Sequence, residues 1–254
     1  MSRLVRHSYY LTIRALRETL RQPAVEITNI FIPMFFFAVT VGAIGGVSAR
    51  AFGVTNFLGF QMPVAVLQAV AGASGSAGLG TVTDIERGYF DKLLLTPTPR
   101  LSLVLGRLGA DCVRSMALTA IIVIAGLLTG SGMESGVGGA LLIVAMGGLF
   151  GLAYAGIGMA IALRTGSAQA AQAGFLVFFP LLFLSPALAP KENFAPWLEF
   201  LATINPITYV LQGMRGLVLD GWDPGSLAGA FAAIFGLAAF TLSLTLAAMR
   251  SRVG

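Results

Sequence analysis

Charged residues divide this chain into long apolar runs. Six stretches carry no charge: residues 27–49, 51–83, 115–133, 135–163, 165–190 and 224–249. A helix needs roughly 20 apolar residues to cross a bilayer core about 30 Å thick. Each run meets or nearly meets that length, so the pattern predicts six membrane-spanning helices. The segment before the first run reads differently. Val5, Tyr9, Ile13, Leu16 and Leu20 fall on one helix face, and Arg3, His7, Tyr10, Arg14, Arg17 and Arg21 trace a neighbouring basic stripe. That predicts an amphipathic helix along the inner membrane surface, turned into the first span at Pro23. It reads either as a passive anchor or as an anchor that also touches a partner.

Composition supports an all-α polytopic membrane protein. Hydrophobic residues make up 56% of the 254 and charged residues 11%, against roughly a quarter charged in soluble domains. The basic residues then give the orientation. With the N-terminus inside, the cytoplasmic side receives five in residues 1–26, five between Arg87 and Arg114, Arg164, and the pair Arg250 and Arg252. Arg50, Lys191 and Arg215 are left outside. The positive-inside rule therefore predicts both termini in the cytoplasm of a multi-pass cell-membrane protein. The expected organisation is one domain over 1–254, with an amphipathic segment at 1–26, a membrane region at 27–250 and an outer loop at 190–223. A net charge of +5 is accounted for by basic loops beside anionic lipid headgroups, with no nucleic acid required. The first apolar run and the polar segment before it exceed signal-peptide proportions, so no cleaved signal is expected. A single cysteine, Cys112, excludes an intramolecular disulfide and any multi-cysteine metal site.

Chemistry within the chain is sparse. Its one histidine, His7, lies in the basic segment, which rules out HExxH and any histidine-dependent triad inside the membrane. The two lysines, Lys92 and Lys191, do not follow a glycine, so there is no phosphate-binding loop and no cofactor site is expected. No span centre carries an ionisable residue on this reading; Asp111 and Arg114 are placed at the cytoplasmic mouth of the third helix. Proton-coupled carriers keep such groups as relays. The expectation is a permease that is not itself an enzyme and is powered by a partner. An ion-coupled secondary transporter is the rival reading.

Between the second and third spans, Asp84, Glu86, Arg87, Asp91 and Lys92 precede an apolar knob, Leu93-Leu94-Leu95. Thr96-Pro97-Thr98-Pro99 ends any helix there, and Thr98 or Ser102 can cap the next one. A short helix closed by a double-proline turn is a rigid lever. Between the fifth and sixth spans, five prolines in 180–219 predict short re-entrant or outer helices near 194–203 and 206–219. Within the spans, Gln61 and Gln68 share one face of the second helix, Tyr154 lies in the fourth, and Gln169 and Gln172 open the fifth. Such groups either hydrogen-bond between helices or line a substrate path. Phe31 and Phe35, with their neighbours Phe36 and Phe37, either line that path or face lipid.

The motifs resemble a known family. Glu86-Arg87-Gly88, Asp91-Lys92-Leu93-Leu94, Thr96-Pro97, Arg100 and Gly106-Arg107 are similar to the signature of ABC-2 type permeases, the transmembrane subunits of daunorubicin-resistance-type ABC exporters. Asn205-Pro206-Ile207-Thr208-Tyr209 with Arg215 resembles the motif before that family's last span. Tyr89-Phe90 departs from the Thr-Leu pair of many members. The resemblance implies export of a hydrophobic or amphiphilic substrate such as a drug or lipid, and with it antibiotic resistance. It further implies a separate ATP-binding subunit that holds ATP and Mg, and a second permease copy or homologue completing the pathway. Glu86, Arg87, Gly88, Asp91, Leu94, Thr96, Pro97 and Arg100 are then the candidate coupling residues. Arg14, Arg17 and Arg21 are the candidates on the interface helix.

Overall fold

A computed structural model describes residues 3–96 and 98–253; the side chains of Ala49, Ser76, Phe90, Asp91, Leu94, Phe175, Arg252 and Val253 lie outside that description, as does Pro97 altogether. Among the described residues all regular structure is helical. The helices are α1 (Arg3–Leu20), α2 (Pro23–Phe52), α3 (Phe57–Glu86), α4 (Tyr89–Leu94), α5 (Arg100–Leu128), α6 (Gly136–Thr165), α7 (Ala168–Leu176), α8 (Phe178–Phe183), α9 (Pro196–Ile204), α10 (Pro206–Leu219) and α11 (Pro224–Val253), with one 3-10 turn at Lys191–Asn193.

Five helices are long and apolar enough to cross a membrane: α2, α3, α5, α6 and α11. The fifth apolar run does not form one long helix. It breaks at Val177 into α7 and α8, because Pro180 has no N–H to donate to the carbonyl of Leu176. The third span starts, as expected, directly after the double-proline turn, at Arg100, and ends at Leu128, before the last residues of its apolar run. Neither Thr98 nor Ser102 caps it; the cap position is Pro99, without a side-chain hydrogen bond. Arg114 therefore sits at the middle of α5, not at its mouth.

The core is built around α6, which packs against α3, α5 and α11. Small residues permit that closeness. A Cβ on Gly151 would overlap the Ser115 hydroxyl of α5, and one on Gly147 would overlap Thr119. Phe150 then stacks on Tyr154, ring centroids 5.8 Å apart, and Tyr154 meets Phe178 edge-on at 5.7 Å. By contrast, α2 and α11 bury few of their side chains. On α1, Leu11, Thr12 and Ala15 face α5, whereas Val5, Tyr9 and Leu20 of the expected apolar stripe are exposed.

The Asn205-Pro206 motif has a local physical role. Asn205 Oδ1 accepts the Ile207 N–H at 3.0 Å, and Pro206 occupies the first helical position of α10. The Asn205 amide nitrogen donates to Leu181 O at 2.5 Å, tying α10 to α8. The Tyr209 hydroxyl donates back to Thr203 O at 2.7 Å and fixes the angle between α9 and α10.

Packing at α5–α6 predicts an asymmetry between glycines. Gly151→Leu should lower stability by about 1–3 kcal/mol through overpacking. Gly46→Leu, where nothing lies within 4 Å, should leave the thermal unfolding midpoint in detergent unchanged.

Candidate functional site

The polar residues gather at two places. The first is the end of the bundle where α1, α3, α4 and α5 meet. Asp84, in the last turn of α3, is buried and receives two arginines. Arg14 of α1 donates through both terminal nitrogens, Nη2 to Oδ1 at 2.6 Å and Nη1 to Oδ2 at 3.3 Å. Arg107 of α5 donates to Oδ2 at 2.5 Å and to Gly80 O at 2.7 Å. Glu18 completes the set, 2.7 Å from Arg14 and 3.5 Å from Arg107. The Arg14 guanidinium lies 3.9 Å above the ring of Tyr89, the first residue of α4. Partial burial pulls the Arg14 pKa down, but the hydrogen-bonded Asp84 outweighs it and holds the group above its ordinary value. One carboxylate thus joins three long elements, and the cation–π contact adds the fourth.

Gly88 makes the corner between α3 and α4, with φ +65°, a conformation that favours glycine. Beyond it, Glu86, Arg87, Lys92, Leu95, Thr96 and Arg100 are all exposed. Leu93 and Leu95 of the expected apolar knob separate: Leu93 packs inward near Leu11 and Leu103, while Leu95 is 88% exposed. The Thr96 hydroxyl donates to Leu93 O at 2.6 Å and closes α4, and Thr98 contacts His7 Nδ1 at 3.2 Å. Arg17 on α1 and Arg21 just beyond its end are exposed. Of the three interface arginines, only Arg14 turns to the junction. The Asp91 and Leu94 side chains and Pro97 are outside the described residues.

The second place is a cavity of about 470 Å³ between α2, α3 and α7. Asn29, Gln68, Gln169 and Gln172 line it among apolar side chains, and Gly72 and Gly75 leave the wall of α3 bare. The other residues expected along a path lie elsewhere. Gln61 is 4% exposed, with its Oε1 unpartnered. Tyr154 donates to Gly174 O at 2.9 Å within the core. Phe31 and Phe35 stack at 6.2 Å and are exposed, outside the cavity lining.

Sequence reasoning named two arginines, Arg114 and Arg215, without predicting their burial or partners. Arg114 lies 2.6 Å from Glu26 Oε1 at the start of α2 and donates to Ala73 O at 2.9 Å; Asp111 is 3.8 Å away. Arg215 of α10 is 7% exposed and donates to the carbonyls of Phe60 at 2.8 Å, Pro186, and Ala187 at 3.1 Å, over the Phe60 ring at 3.5 Å. A lone basic residue inside an apolar helix was the available signal for Arg215. For Asp84 and Arg114 it was a charge at the edge of an apolar run; their partners, 23 to 88 residues away, carry no local signal. Asn29 was the overlooked polar residue of the first span.

A bundle of apolar helices, with a short corner helix pinned at one end, has the architecture of a multi-pass membrane protein. The ABC-2 type transporter family matches over residues 7–219, and the chain belongs to that family. It is 26% identical over 210 residues to the daunorubicin resistance ABC transporter permease protein DrrB1 of Streptomyces coeruleorubidus, covering 80% of this chain and 72% of that one. It is 24% identical to the probable doxorubicin resistance ABC transporter permease protein DrrC of Mycobacterium tuberculosis (strain ATCC 25618 / H37Rv), covering 83% and 76%. A putative transport permease of Porphyra purpurea, ycf38, is 28% identical over 81% of this chain and 71% of its own.

Removing the charge at Asp84 strands two arginines in a partly buried site. Asp84→Asn should cost about 1–3 kcal/mol, between the values for exposed and buried pairs. The thermal midpoint of the purified protein should fall accordingly, and that of Arg17→Ala should not move.

Proposed function

We propose that this chain is the transmembrane permease subunit of an ATP-driven exporter. It moves a hydrophobic or amphiphilic substrate out across the cell membrane, with ATP and Mg held by a separate nucleotide-binding subunit. The observation that carries this reading is the corner helix α4, with Lys92 exposed on it and Glu86, Arg87, Leu95, Thr96 and Arg100 exposed around it, clamped to α1, α3 and α5 through Tyr89, Arg14, Asp84 and Arg107. A docking element must move the spans when it is pushed, and a charged clamp on both adjoining long helices transmits such a push. Glu86, Arg87 and Arg100, exposed around α4, are the coupling contacts; Gly88 and Thr96 set its two ends. Asp91, Leu94 and Pro97 belong to the same segment. The names of the relatives, as drug-resistance permeases, support the substrate class.

In this reading α7 and α8 together complete a sixth crossing, both termini are cytoplasmic, and α9 and α10 cap the outer side. Two permeases, identical or homologous, form the pathway with two ATPases. The trio Arg114, Glu26 and Asp111 is the feature that favours an ion-coupled carrier instead. Its arginine also binds the backbone of α3, which fits a staple between three helices better than a relay.

Co-purification with a co-expressed ABC-type ATP-binding subunit tests the proposal. Hydrolysis is expected from the complex and not from the permease alone; transport by the permease without an ATPase overturns it. Glu86→Lys and Arg100→Glu should each weaken assembly by more than tenfold, since breaking a charged pair at an interface costs about 2–5 kcal/mol. Membrane insertion should be unaffected. For the orientation, Thr98→Cys and Asn193→Cys in a Cys112→Ser background should react with an impermeant maleimide from opposite sides. Labelling from one side refutes the arrangement.

A further inference from the structure

We infer that the cavity between α2, α3 and α7 is a binding site for an uncharged amphiphile, recognised by hydrogen bonds from Asn29, Gln68, Gln169 and Gln172. The inference rests on the export reading and adds to it the charge state of the substrate and the groups that bind it.

Among the described residues, none of these four side chains makes a hydrogen bond to the protein. Asn29 Nδ2 is shut off from solvent and has no partner. Elsewhere in the bundle, hydroxyls and guanidinium groups find backbone carbonyls, as at Tyr154, Thr241 and Arg215. In hydrocarbon an amide without a partner is costly. Asn29 and Gln68 are half-buried in this space and Gln169 and Gln172 are exposed at its open side, so that four amides on three helices form a ready set of donors and acceptors. Gln169 and Gln172 are three residues apart on α7 and so share a face. Gln68 shares its face of α3 with Gly72 and Gly75, whose missing side chains leave room. At about 470 Å³, the space lies within the range of roughly 300–1,000 Å³ for sites that take drug-sized molecules.

The lining contains no Asp, Glu, Lys or Arg. The nearest acidic residue in sequence, Glu26, is held by Arg114. A cationic guest would lose its water and meet no counter-charge; a neutral guest with carbonyl or hydroxyl groups would meet amides that donate and accept. The site therefore selects for neutrality and hydrogen-bonding capacity on an apolar body.

The test uses the permease with its ATPase subunit in lipid nanodiscs. Its probes are a dansyl-labelled diaminooctane, whose free amine is cationic, and the acetylated counterpart, which is neutral. The fluorescence of each is read against protein-free nanodiscs. The neutral probe should bind at least about fivefold more tightly. Gln68→Leu and Gln172→Leu should each weaken it by about twofold to tenfold, the loss expected for one hydrogen bond, while Phe31→Leu leaves it unchanged. Gln172→Glu, near the open side, should reverse the order and favour the amine. Equal binding of both probes, or binding insensitive to both leucine variants as an acyl chain in the groove would give, overturns the assignment. So does a Gln172→Glu protein that keeps the wild-type preference. A complex that hydrolyses ATP but fails these tests sinks the cavity alone; a permease that never assembles with an ATPase sinks the export reading.

Discussion

A charge that leaves water must find its partner inside the protein, and in this chain that constraint decides which helices adjoin. Asp84 binds Arg14 and Arg107, which are 70 and 23 residues away. Arg114 binds Glu26 across 88 residues. Arg215, without a carboxylate, binds three carbonyls from two other segments. Apolar packing is non-directional and in a bilayer distinguishes poorly between protein and lipid neighbours. Ionic and hydrogen-bonded contacts are directional, so they supply the register that packing leaves open. The glycines of α6 then let the selected neighbours close up.

The same constraint explains what was legible in the sequence. Runs without charge mark apolar helices well, and α2, α3, α6 and α11 follow from them. The rule fails where a charge is neutralised by a distant residue. Asp111 and Arg114 read as the mouth of the third span, yet Arg114 lies at the middle of α5, where Glu26 answers it, as Asp84 answers Arg107 a little earlier in the same helix. The fifth run failed for a local reason, the missing N–H of Pro180. The capping signal at Asn205-Pro206 and the corner at Gly88 were readable because both depend on neighbours in sequence. The direction of Arg14 was not readable, since a basic stripe beside headgroups and an arginine aimed at a buried carboxylate have the same spacing.

Tyr89 shows how a departure from a family pattern acquires a physical role. Where many members are expected to carry a small polar residue, this chain has a ring that receives the face of Arg14. That ring links the corner helix to the amphipathic helix without a further charge. A second carboxylate there would compete with Asp84 for the same arginine. An aromatic face adds attraction while leaving both oxygens of Asp84 engaged.

The clamp and the cavity also share a helix. Asp84 and Gln68 both belong to α3 and are 16 residues apart, about 24 Å along the axis. Between them the helix is continuous, and α6 supports it through Ser74, which donates to Gly151 O at 3.1 Å. On the proposed coupling, a displacement imposed on α4 would reach Asp84 across the corner at Gly88 and pass along one helix to the cavity wall. The opposite wall is α2, which has few buried side chains and is fastened near its start by Glu26 to Arg114. A stiff wall driven from one end and a loosely packed wall held near one point differ in how far each yields to the same push. The space between them, with its unpartnered amides, is where that difference is expressed.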